Sequence, residues 1–242
     1  MKLCTPFAAL SLLFVSAFAG PPAVAGYVSS WQASSGLFPD QISPPYTLTD
    51  TAIANPAFAG DNLRISTSLP ASEVMYYGHQ GSLLDTSGAF YVEARVRLES
   101  GSSLSTIRAP ITIAITTSPG VGNSLFIDHG AMFFAQISGT AGPSYLADTN
   151  DAFHTYLIEY DGVQTLTLFY DGAQALTAST FSDATFNGLQ PRINWGEGTI
   201  LEYGTSDWEY FTHNALAVPE PQTYALLLAG LGFLGFAARR KR

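Results

Sequence analysis

Two Asp-Gly pairs, ten residues apart, place the strongest limit on the fold of this chain. Asp161-Gly162 and Asp171-Gly172 each follow a tyrosine. An Asp-Gly pair can supply the positive-φ positions of a tight turn between antiparallel strands. Two such turns in register predict a meander of three antiparallel strands within residues 153–179.

Alternating hydrophobicity predicts further strands before this meander. Apolar residues occupy every second position of residues 90–98, which gives one apolar and one polar face. Similar spacing recurs in residues 63–69 and 111–115. Only 12% of the residues are charged and 13% are aromatic, and no stretch of the body has a sustained helical stripe. The sequence therefore predicts an all-β fold of short strands joined by turns.

Three segments resemble those of concanavalin A-like lectin/glucanase and laminin-G-like β-sandwiches. The first, residues 154–162, begins with a histidine and ends in Asp-Gly, and the second, residues 166–172, ends in another Asp-Gly. The third, residues 204–211, contains an Asp-Trp-x-Tyr pattern like that of the closing strand, where the chain returns near its start. The resemblance covers about residues 46–213. It implies an antiparallel jelly-roll β-sandwich and carries little information about activity.

The N-terminus has the features of a cleavable secretory signal. Lys2 gives it a positive start, residues 7–19 are apolar, and small-residue cleavage sites follow. We favour cleavage after Ala25, because two prolines break the helix just before it, with cleavage after Ala19 as the alternative. The only cysteine, Cys4, would be removed with the signal. The mature chain would then have no thiol for a disulfide or a metal site.

The C-terminus resembles the PEP-CTERM sorting domain of bacteria that make exopolysaccharide. A Pro-Glu-Pro signature precedes the uncharged apolar run 224–238, and a basic cluster ends the chain. The resemblance implies recognition by a membrane protease-transpeptidase of the exosortase type and delivery to the cell surface or extracellular matrix. The residues assigned to the sorting signal are Pro219, Glu220, Pro221, Arg239, Arg240, Lys241 and Arg242.

A permanent membrane anchor is the alternative for this tail. The run is somewhat shorter than the roughly 20 residues that span a bilayer, although its flanks can lie among the headgroups. The basic cluster would stay on the cytoplasmic side, so the body of the protein would lie outside. In either case we expect a C-terminal transmembrane helix that holds the chain in the inner membrane before processing.

These features divide the chain into five predicted parts. They are a signal peptide (1–25), an arm or edge strand with Trp31 as its large anchor (26–45), a β-sandwich (46–213), a linker (214–218) and the sorting tail (219–242).

The exported body is strongly acidic. Residues 26–218 contain five arginines, no lysine and 18 acidic residues, which gives a formal charge of −13. This charge disfavours nucleic acid as a partner. It also disfavours anionic lipid and acidic polysaccharide unless divalent cations bridge the two. The alternative explanation is that the charge keeps a secreted protein soluble.

Glycan hydrolysis is disfavoured by the sequence. Glucanases of this fold carry a Glu-x-Asp-x-x-Glu pattern on one strand, with the carboxylates pointing together into the cleft. The nearest string here has Glu159 and Asp161, but Gln164 replaces the third carboxylate. Asp161 also fits a turn better than a strand. We therefore predict no catalytic residues and no enzymatic activity.

Aromatic residues near the end of the body suggest a glycan-binding site. Sugars stack on Trp and Tyr rings, and carboxylates accept hydrogen bonds from their hydroxyls. Trp208 and Tyr210 would share the core face of the closing strand. This leaves Trp195 and Tyr203, beside the glycine-rich loop 196–198, as the expected exposed pair, with Glu197 in the same loop.

One loop carries a candidate calcium site. Asp148, Asn150 and Asp151 supply the oxygen ligands that calcium prefers, but the loop lacks the glycine and distal glutamate of an EF-hand. A solvated loop is the alternative, and no other cofactor is expected.

The sequence therefore predicts a non-enzymatic protein of the cell surface or extracellular matrix. Its sandwich would have a structural or adhesive role and could bind exopolysaccharide. The alternative is a divergent carbohydrate-active enzyme, which would need an exposed cleft with two carboxylates roughly 5 to 9.5 Å apart.

Overall fold

The computed structural model describes residues 27–52, 56–68, 73–103, 107–136, 140–183, 190–197 and 202–217. Their regular structure consists of strands and short 3-10 turns, which confirms the all-β prediction. The predicted signal helix and C-terminal transmembrane helix lie outside these residues. Within the described ranges, no helix combines the length and the apolar character needed to cross a bilayer.

The described strands are numbered in chain order. They are β1 (Tyr27–Gln32), β2 (Thr47–Asp50), β3 (Ala57–Ala59), β4 (Asn62–Ser66), β5 (Met75–Gln80), β6 (Phe90–Ser103), β7 (Ile111–Ser118), β8 (Val121–Asp128), β9 (Ala131–Gln136), β10 (Thr140–Leu146), β11 (His154–Tyr160), β12 (Thr165–Tyr170), β13 (Ala173–Ser179), β14 (Phe181–Ser182), β15 (Arg192–Glu197) and β16 (Glu202–Leu216).

Two antiparallel sheets pack face to face as a β-sandwich. Sheet A has the order β13-β12-β11-β6-β16-β4-β3, and β1 also pairs with β16. Sheet B has the order β10-β9-β8-β7-β15-β5-β2, and β14 also pairs with β8. Many neighbouring strands are distant in sequence, so crossovers between the sheets bring together residues from all parts of the body. The predicted antiparallel sandwich is confirmed.

The predicted meander is present as β11, β12 and β13. Asp171 and Gly172 form a two-residue turn between β12 and β13, with φ angles of 48° and 81°. The first turn is longer than expected, because Asp161 does not adopt a positive φ. Its Oδ1 instead accepts hydrogen bonds from the backbone N–H groups of residues 163–165 at 2.8 to 2.9 Å. Asp161 therefore shapes the loop through its side chain.

The closing strand β16 contains an irregularity that the sequence pattern did not predict. Its register against β6 shifts between Trp208 and Tyr210. Trp208 is buried as expected, but the extra residue turns Tyr210 to the outer face of sheet A, where its hydroxyl donates to Glu93 at 2.6 Å. Phe211 takes the inward position instead. The expectation that Tyr210 lies in the core is wrong.

An aromatic cluster joins the two sheets. Trp195 of sheet B stacks on Phe211 of sheet A with ring centroids 4.9 Å apart and planes inclined by 14°. It also contacts Trp208 at 4.7 Å and Trp31 at 5.3 Å. Burial of such large rings is the main source of stability in a chain without disulfides.

Residues 27–32, which precede the predicted sandwich in the sequence, form part of the observed sandwich. Strand β1 pairs with the second half of β16, from Tyr27 opposite Leu216 to Gln32 opposite Tyr210. Its anchor Trp31 is fully buried. Residues 27–32 are therefore a strand of sheet A.

Candidate functional site

The three residues expected to bind glycan do not form a surface site. Trp195 is 0% exposed and Glu197 is 1% exposed, while Tyr203 is partly buried. The expectation that Trp195 is exposed is wrong, because residues 192–197 form strand β15 rather than a loop. Alternation along this strand turns Ile193, Trp195 and Glu197 inward.

Glu197 is an uncharged acid in the core. Burial raises its pKa to about 8, more than hydrogen bonds from Ser206 and Thr67 lower it. The Thr67 hydroxyl donates to its Oε2 at 2.9 Å, and its Oε1 has no hydrogen-bond partner among the described residues. This carboxyl group cannot reach a ligand at the surface.

The three candidate calcium ligands point to different partners. Asp148 accepts a hydrogen bond from the backbone N–H of Asn150 at 3.3 Å, and the Asn150 amide lies 2.9 Å from His129 Nδ1. Asp151 pairs with His154 Nε2 at 2.8 Å. In the part of the chain that the structure describes, no three His, Cys, Asp or Glu side chains are arranged to hold a metal ion.

Two buried histidines form a second link between the sheets. His79 Nδ1 in β5 lies 2.9 Å from His213 Nε2 in β16. The backbone N–H of Ala215 donates to His213 Nδ1 at 3.3 Å, so the other ring nitrogen of His213 carries the proton and donates to His79. His79 Nε2 in turn donates to the Pro44 carbonyl at 3.4 Å. Both rings are therefore neutral in this chain of hydrogen bonds.

The outer face of sheet A is covered by ion pairs. The Arg64 guanidinium binds Asp207 side-on, with Nε and Nη2 each 2.7 Å from a carboxylate oxygen. The pairs on this face are Arg64 with Asp207, Arg95 with Glu209, and Arg97 with Glu99. Its charges already have partners within the protein.

The outer face of sheet B has a different character. Five polar or aromatic side chains project from three adjacent strands, and we call this surface the polar face. Its residues are Tyr76 of β5, Thr112 and Thr116 of β7, and Arg192 and Asn194 of β15. Arg192 lies directly opposite Thr116 across the sheet. The same alternation that buries Trp195 brings Arg192 and Asn194 to this surface.

Three polar atoms of the polar face are unsatisfied. Arg192 Nε, Thr112 Oγ1 and Thr116 Oγ1 are shielded from water and have no hydrogen-bond partner among the described residues. Native proteins leave few such atoms unpaired, because each costs about 1 to 3 kcal/mol. Burial lowers the pKa of the Arg192 guanidinium, and Tyr76 partly opposes the shift. Because these three atoms are buried and Thr116 is 0% exposed, they do not reach a ligand at the surface. The partly exposed side chains of the polar face include Tyr76, Arg192 and Asn194.

Two glycines shape the polar face. A Cβ atom at Gly78 would lie 1.9 Å from Asn194 Oδ1, so the Asn194 amide packs directly over this strand. A Cβ atom at Gly196 would lie 2.9 Å from Tyr76 Cα, and the φ of Gly196 is 137°. The absence of both side chains brings Asn194 and Tyr76 close to the neighbouring strands.

The sequence pattern contained the signal for this site. In residues 192–197, Arg192, Asn194 and Gly196 alternate with three residues that turn inward. Gly196 and Gly198 favoured a loop over residues 196–198, whereas the strand continues to Glu197. The position of Arg192 beside Thr116 depends on the sheet register and could not be predicted from the sequence.

A shallow groove of about 480 Å³ lies at one end of the sandwich, between residues 84–87 and the turns that follow β7 and β11. Its polar groups already have partners. Asp85 accepts a hydrogen bond from the Ser87 hydroxyl at 2.6 Å, and the Thr86 hydroxyl donates to the Thr117 carbonyl at 2.5 Å. The groove is therefore a weaker candidate than the polar face.

The C-terminal residues match a known sorting motif. Residues 217–242 match the PEP-CTERM protein-sorting motif, which confirms the resemblance noted in the sequence. This motif implies export, a membrane-anchored tail before processing, and processing by an exosortase. No curated protein matches the chain.

Solved structures share the fold of the body. A structure concerning the cell entry of botulinum neurotoxin type C, which depends upon interaction with two ganglioside molecules, matches with a TM-score of 0.52 and 11% identity. The match covers 86% of this chain and 51% of that chain, so this chain spans about half its length. The binding domain of botulinum neurotoxin serotype D/C matches with a TM-score of 0.51 and 10% identity, over 86% of this chain and 52% of that one.

A bacterial protein of similar size also matches. The protein of unknown function SO2946 from Shewanella oneidensis MR-1 has a TM-score of 0.50 and 15% identity. The match covers 80% of this chain and 89% of that chain. At these identities the matches show the fold alone. They confirm the resemblance to lectin-like β-sandwiches at that level.

Proposed function

We propose that this protein is a non-enzymatic glycan-binding protein of the cell surface or extracellular matrix, and that the polar face is its binding surface. The observation that carries the proposal is the group of partly exposed side chains that Tyr76, Arg192 and Asn194 form on the adjacent strands β5 and β15. A glycan presents hydroxyl groups that both donate and accept hydrogen bonds. Its hydroxyls could therefore bind the Arg192 guanidinium and the Asn194 amide together.

The other side chains of the polar face suit the same ligand. The Asn194 amide offers a donor and an acceptor, and it lies close to the sheet over Gly78. Tyr76 provides an aromatic ring, on which the apolar C–H face of a sugar can pack. A glycan held across β5 and β15 would thus combine hydrogen bonds with one ring contact.

The sorting motif and the fold support this proposal independently of the residues of the polar face. The PEP-CTERM motif directs proteins outward, where polysaccharides of the envelope and matrix are available. The botulinum neurotoxin type C structure, matched over 51% of its length, concerns a protein whose cell entry depends upon interaction with two ganglioside molecules. We therefore favour a structural or adhesive role that involves polysaccharide.

A non-enzymatic role fits the positions of the carboxylates. The Asp161 side chain is engaged by three backbone N–H groups of its own turn. Glu159 is exposed in sheet A. None of the five polar-face side chains is a carboxylate, whereas glycoside hydrolysis uses a pair of them.

The test is a binding measurement on the full chain in a mild detergent. We expect the wild type to bind at least one polysaccharide on a glycan array. Tyr76→Ala removes the aromatic ring, and Asn194→Ala removes the amide. Each should weaken binding about tenfold, as expected for the loss of roughly 1.4 kcal/mol.

Tyr91→Ala, in β6 of sheet A, is the matched control and should leave binding unchanged. Circular dichroism would verify that each variant is folded. If the folded wild type bound no glycan, or if the polar-face variants bound as well as the control, the proposed function would be wrong.

A further inference from the structure

Four large apolar side chains are exposed at one end of the sandwich. Tyr27 and Val28 begin β1, Leu83 follows β5, and Val163 lies in the loop after β11. Val163 is 78% exposed and Leu83 is 46% exposed. Single exposed apolar residues are ordinary, whereas a group of them at one place marks a contact surface. We call these four residues the apolar end.

Strand pairing places these residues at the same end of the body. Tyr27 lies opposite Leu216, the last residue of β16, and Leu216 also forms a bridge with Leu84. Strands β11 and β16 both run antiparallel to β6 and therefore both end near its start. The shallow groove, which is lined by Leu84 and Val163, lies between these strand ends.

The polypeptide leaves the sandwich beside the apolar end. The backbone N–H of Ala217 donates to the Leu83 carbonyl at 3.0 Å. The sorting motif implies a tail that is anchored in the membrane before processing. The apolar run of this tail is residues 224–238, and the seven steps from residue 217 to residue 224 span at most about 25 Å. The apolar end is therefore close to the bilayer while the tail is anchored.

We propose that the apolar end binds the membrane surface, with its four side chains among the lipid headgroups, while the tail is anchored. Leucine and valine gain free energy when they leave water for this region, and tyrosine is enriched at membrane interfaces. The tether makes the contact intramolecular, so a small apolar surface is sufficient. This inference is independent of the proposed glycan binding.

The charges at this end indicate the kind of lipid. Three acidic residues and one arginine lie near the apolar end, and the body as a whole has a formal charge of −13. An anionic bilayer would repel such a surface. The partner is therefore a zwitterionic membrane surface. The charged residues at this end are Asp85, Asp161, Asp183 and Arg192.

The experiment measures how closely each end of the body approaches a bilayer. The full chain carries Cys4→Ser and one new cysteine, either Ser118→Cys beside the groove or Ser144→Cys in β10, towards the opposite end. Both serines are exposed. A fluorophore on the new cysteine is observed in phosphatidylcholine vesicles that contain a lipid with a nitroxide headgroup, which quenches only nearby fluorophores. We expect strong quenching at position 118 and several-fold weaker quenching at position 144.

Paired variants separate the apolar contact from the effect of the tether. The double variant Leu83→Asp/Val163→Asp places two charges in the apolar end and should reduce quenching at position 118 several-fold. Leu37→Asp/Leu146→Asp is the matched control, because these leucines are 45% and 81% exposed and lie away from the apolar end. It adds the same charge and should leave quenching unchanged. Circular dichroism would verify that each variant is folded.

Three results would overturn the inference. They are equal quenching at positions 118 and 144, quenching at position 118 that survives in Leu83→Asp/Val163→Asp, and an equal loss in the control. Replacing part of the phosphatidylcholine by phosphatidylglycerol should weaken the quenching, because body and bilayer would both be negative. Stronger quenching on the anionic vesicles would contradict a zwitterionic partner. Glycan binding enters none of these measurements, so their failure would leave the proposed function standing.

Discussion

Glu197 shows how strongly its surroundings can change a single residue. In the sequence it stands beside Trp195 and suggests an exposed acid. In the fold its carboxyl group lies between the sheets, near Thr67 of the opposite sheet, and burial raises its pKa to about 8. Its inward direction follows from the alternation in β15, but its burial depends on strands that are distant in sequence. The side-chain direction could therefore be predicted, whereas the pKa could not.

Replacing Glu197 by glutamine should stabilise the protein in mild alkali. The folded pKa of about 8 lies above the ordinary value of 4.5, so the stability linked to the neutral acid is complete below about pH 4.5. This stability is lost as the pH rises through 8. The unfolded chain ionises freely in this range, whereas the folded protein must either keep the proton or bury a charge. Glu197→Gln keeps a neutral side chain of the same size at every pH. Urea unfolding should show a higher midpoint for this variant than for wild type at about pH 8.5, and a similar midpoint at about pH 5.

Glu159→Gln provides the control for this prediction, because Glu159 is exposed in β11. It should follow the wild-type curve at both pH values. A Glu197→Gln variant with the same loss of stability in alkali as the wild type would show that Glu197 is already ionised in the fold.

At the scale of strands and turns, the regular elements were predicted and the irregular ones were not. Strand β6 and the β12–β13 turn follow directly from alternation and from an Asp-Gly pair, because local geometry determines both. The bulge in β16 has no such signature, so counting alternate residues placed Tyr210 on the wrong face. The end of strand β15 was predicted to be a glycine-rich loop, residues 196–198. Gly196 instead lies in the strand, where the absence of a side chain allows Tyr76 of β5 to pack closely.

The β12–β13 turn should be sensitive to a single methyl group. Gly172 has a φ of 81°, and a Cβ atom there would contact nothing within 4 Å. Any cost of Gly172→Ala must therefore come from the backbone conformation, which is unfavourable for alanine by about 1 to 2 kcal/mol. Chemical denaturation of the two forms would measure it. Gly130→Ala is the control, since Gly130 has open space and no positive φ, and it should change stability little. Equal effects at both positions would contradict this explanation.

At the scale of the whole molecule, the two sheets are joined by contacts between residues that are far apart in sequence. His79 and His213 are 134 positions apart, yet their rings share a hydrogen bond in the interior. Burial lowers the pKa of His79 and lowers that of His213 to about 3. Sequence patterns predicted two-layer packing but not this pair, because strand order decides which residues meet across the layers. The polar face was unpredictable for the same reason.

Mild acid should therefore lower the stability of the folded sandwich. The folded pKa values of His79 and His213 lie below the ordinary value of 6.5, so the stability that the neutral pair contributes is present above that pH. It is lost progressively as the pH falls, because the unfolded chain takes up protons that the folded chain cannot accept. The urea midpoint should fall between about pH 7 and about pH 5. The double variant His79→Leu/His213→Leu should show a smaller fall.

His154 supplies a control of opposite sign. Burial lowers its pKa, but hydrogen bonds with Asp171 and Asp151 outweigh this effect and raise it overall. Its contribution is complete below about pH 6.5 and is lost as the pH rises through the folded pKa. His154→Gln should therefore make the loss of stability in acid steeper. If the double leucine variant lost as much stability in acid as the wild type, the buried pair would not be the cause.

The pairing of Tyr27 with Leu216 determines how this domain can be joined to other polypeptide chains. The first and last strands run side by side, so the polypeptide enters and leaves the sandwich at one corner. A domain whose termini lie close together can be inserted into a surface loop of another protein, because the two ends of that loop need not move apart. It can likewise be joined head to tail in tandem, with every copy attached by the same corner and both sheet faces left open.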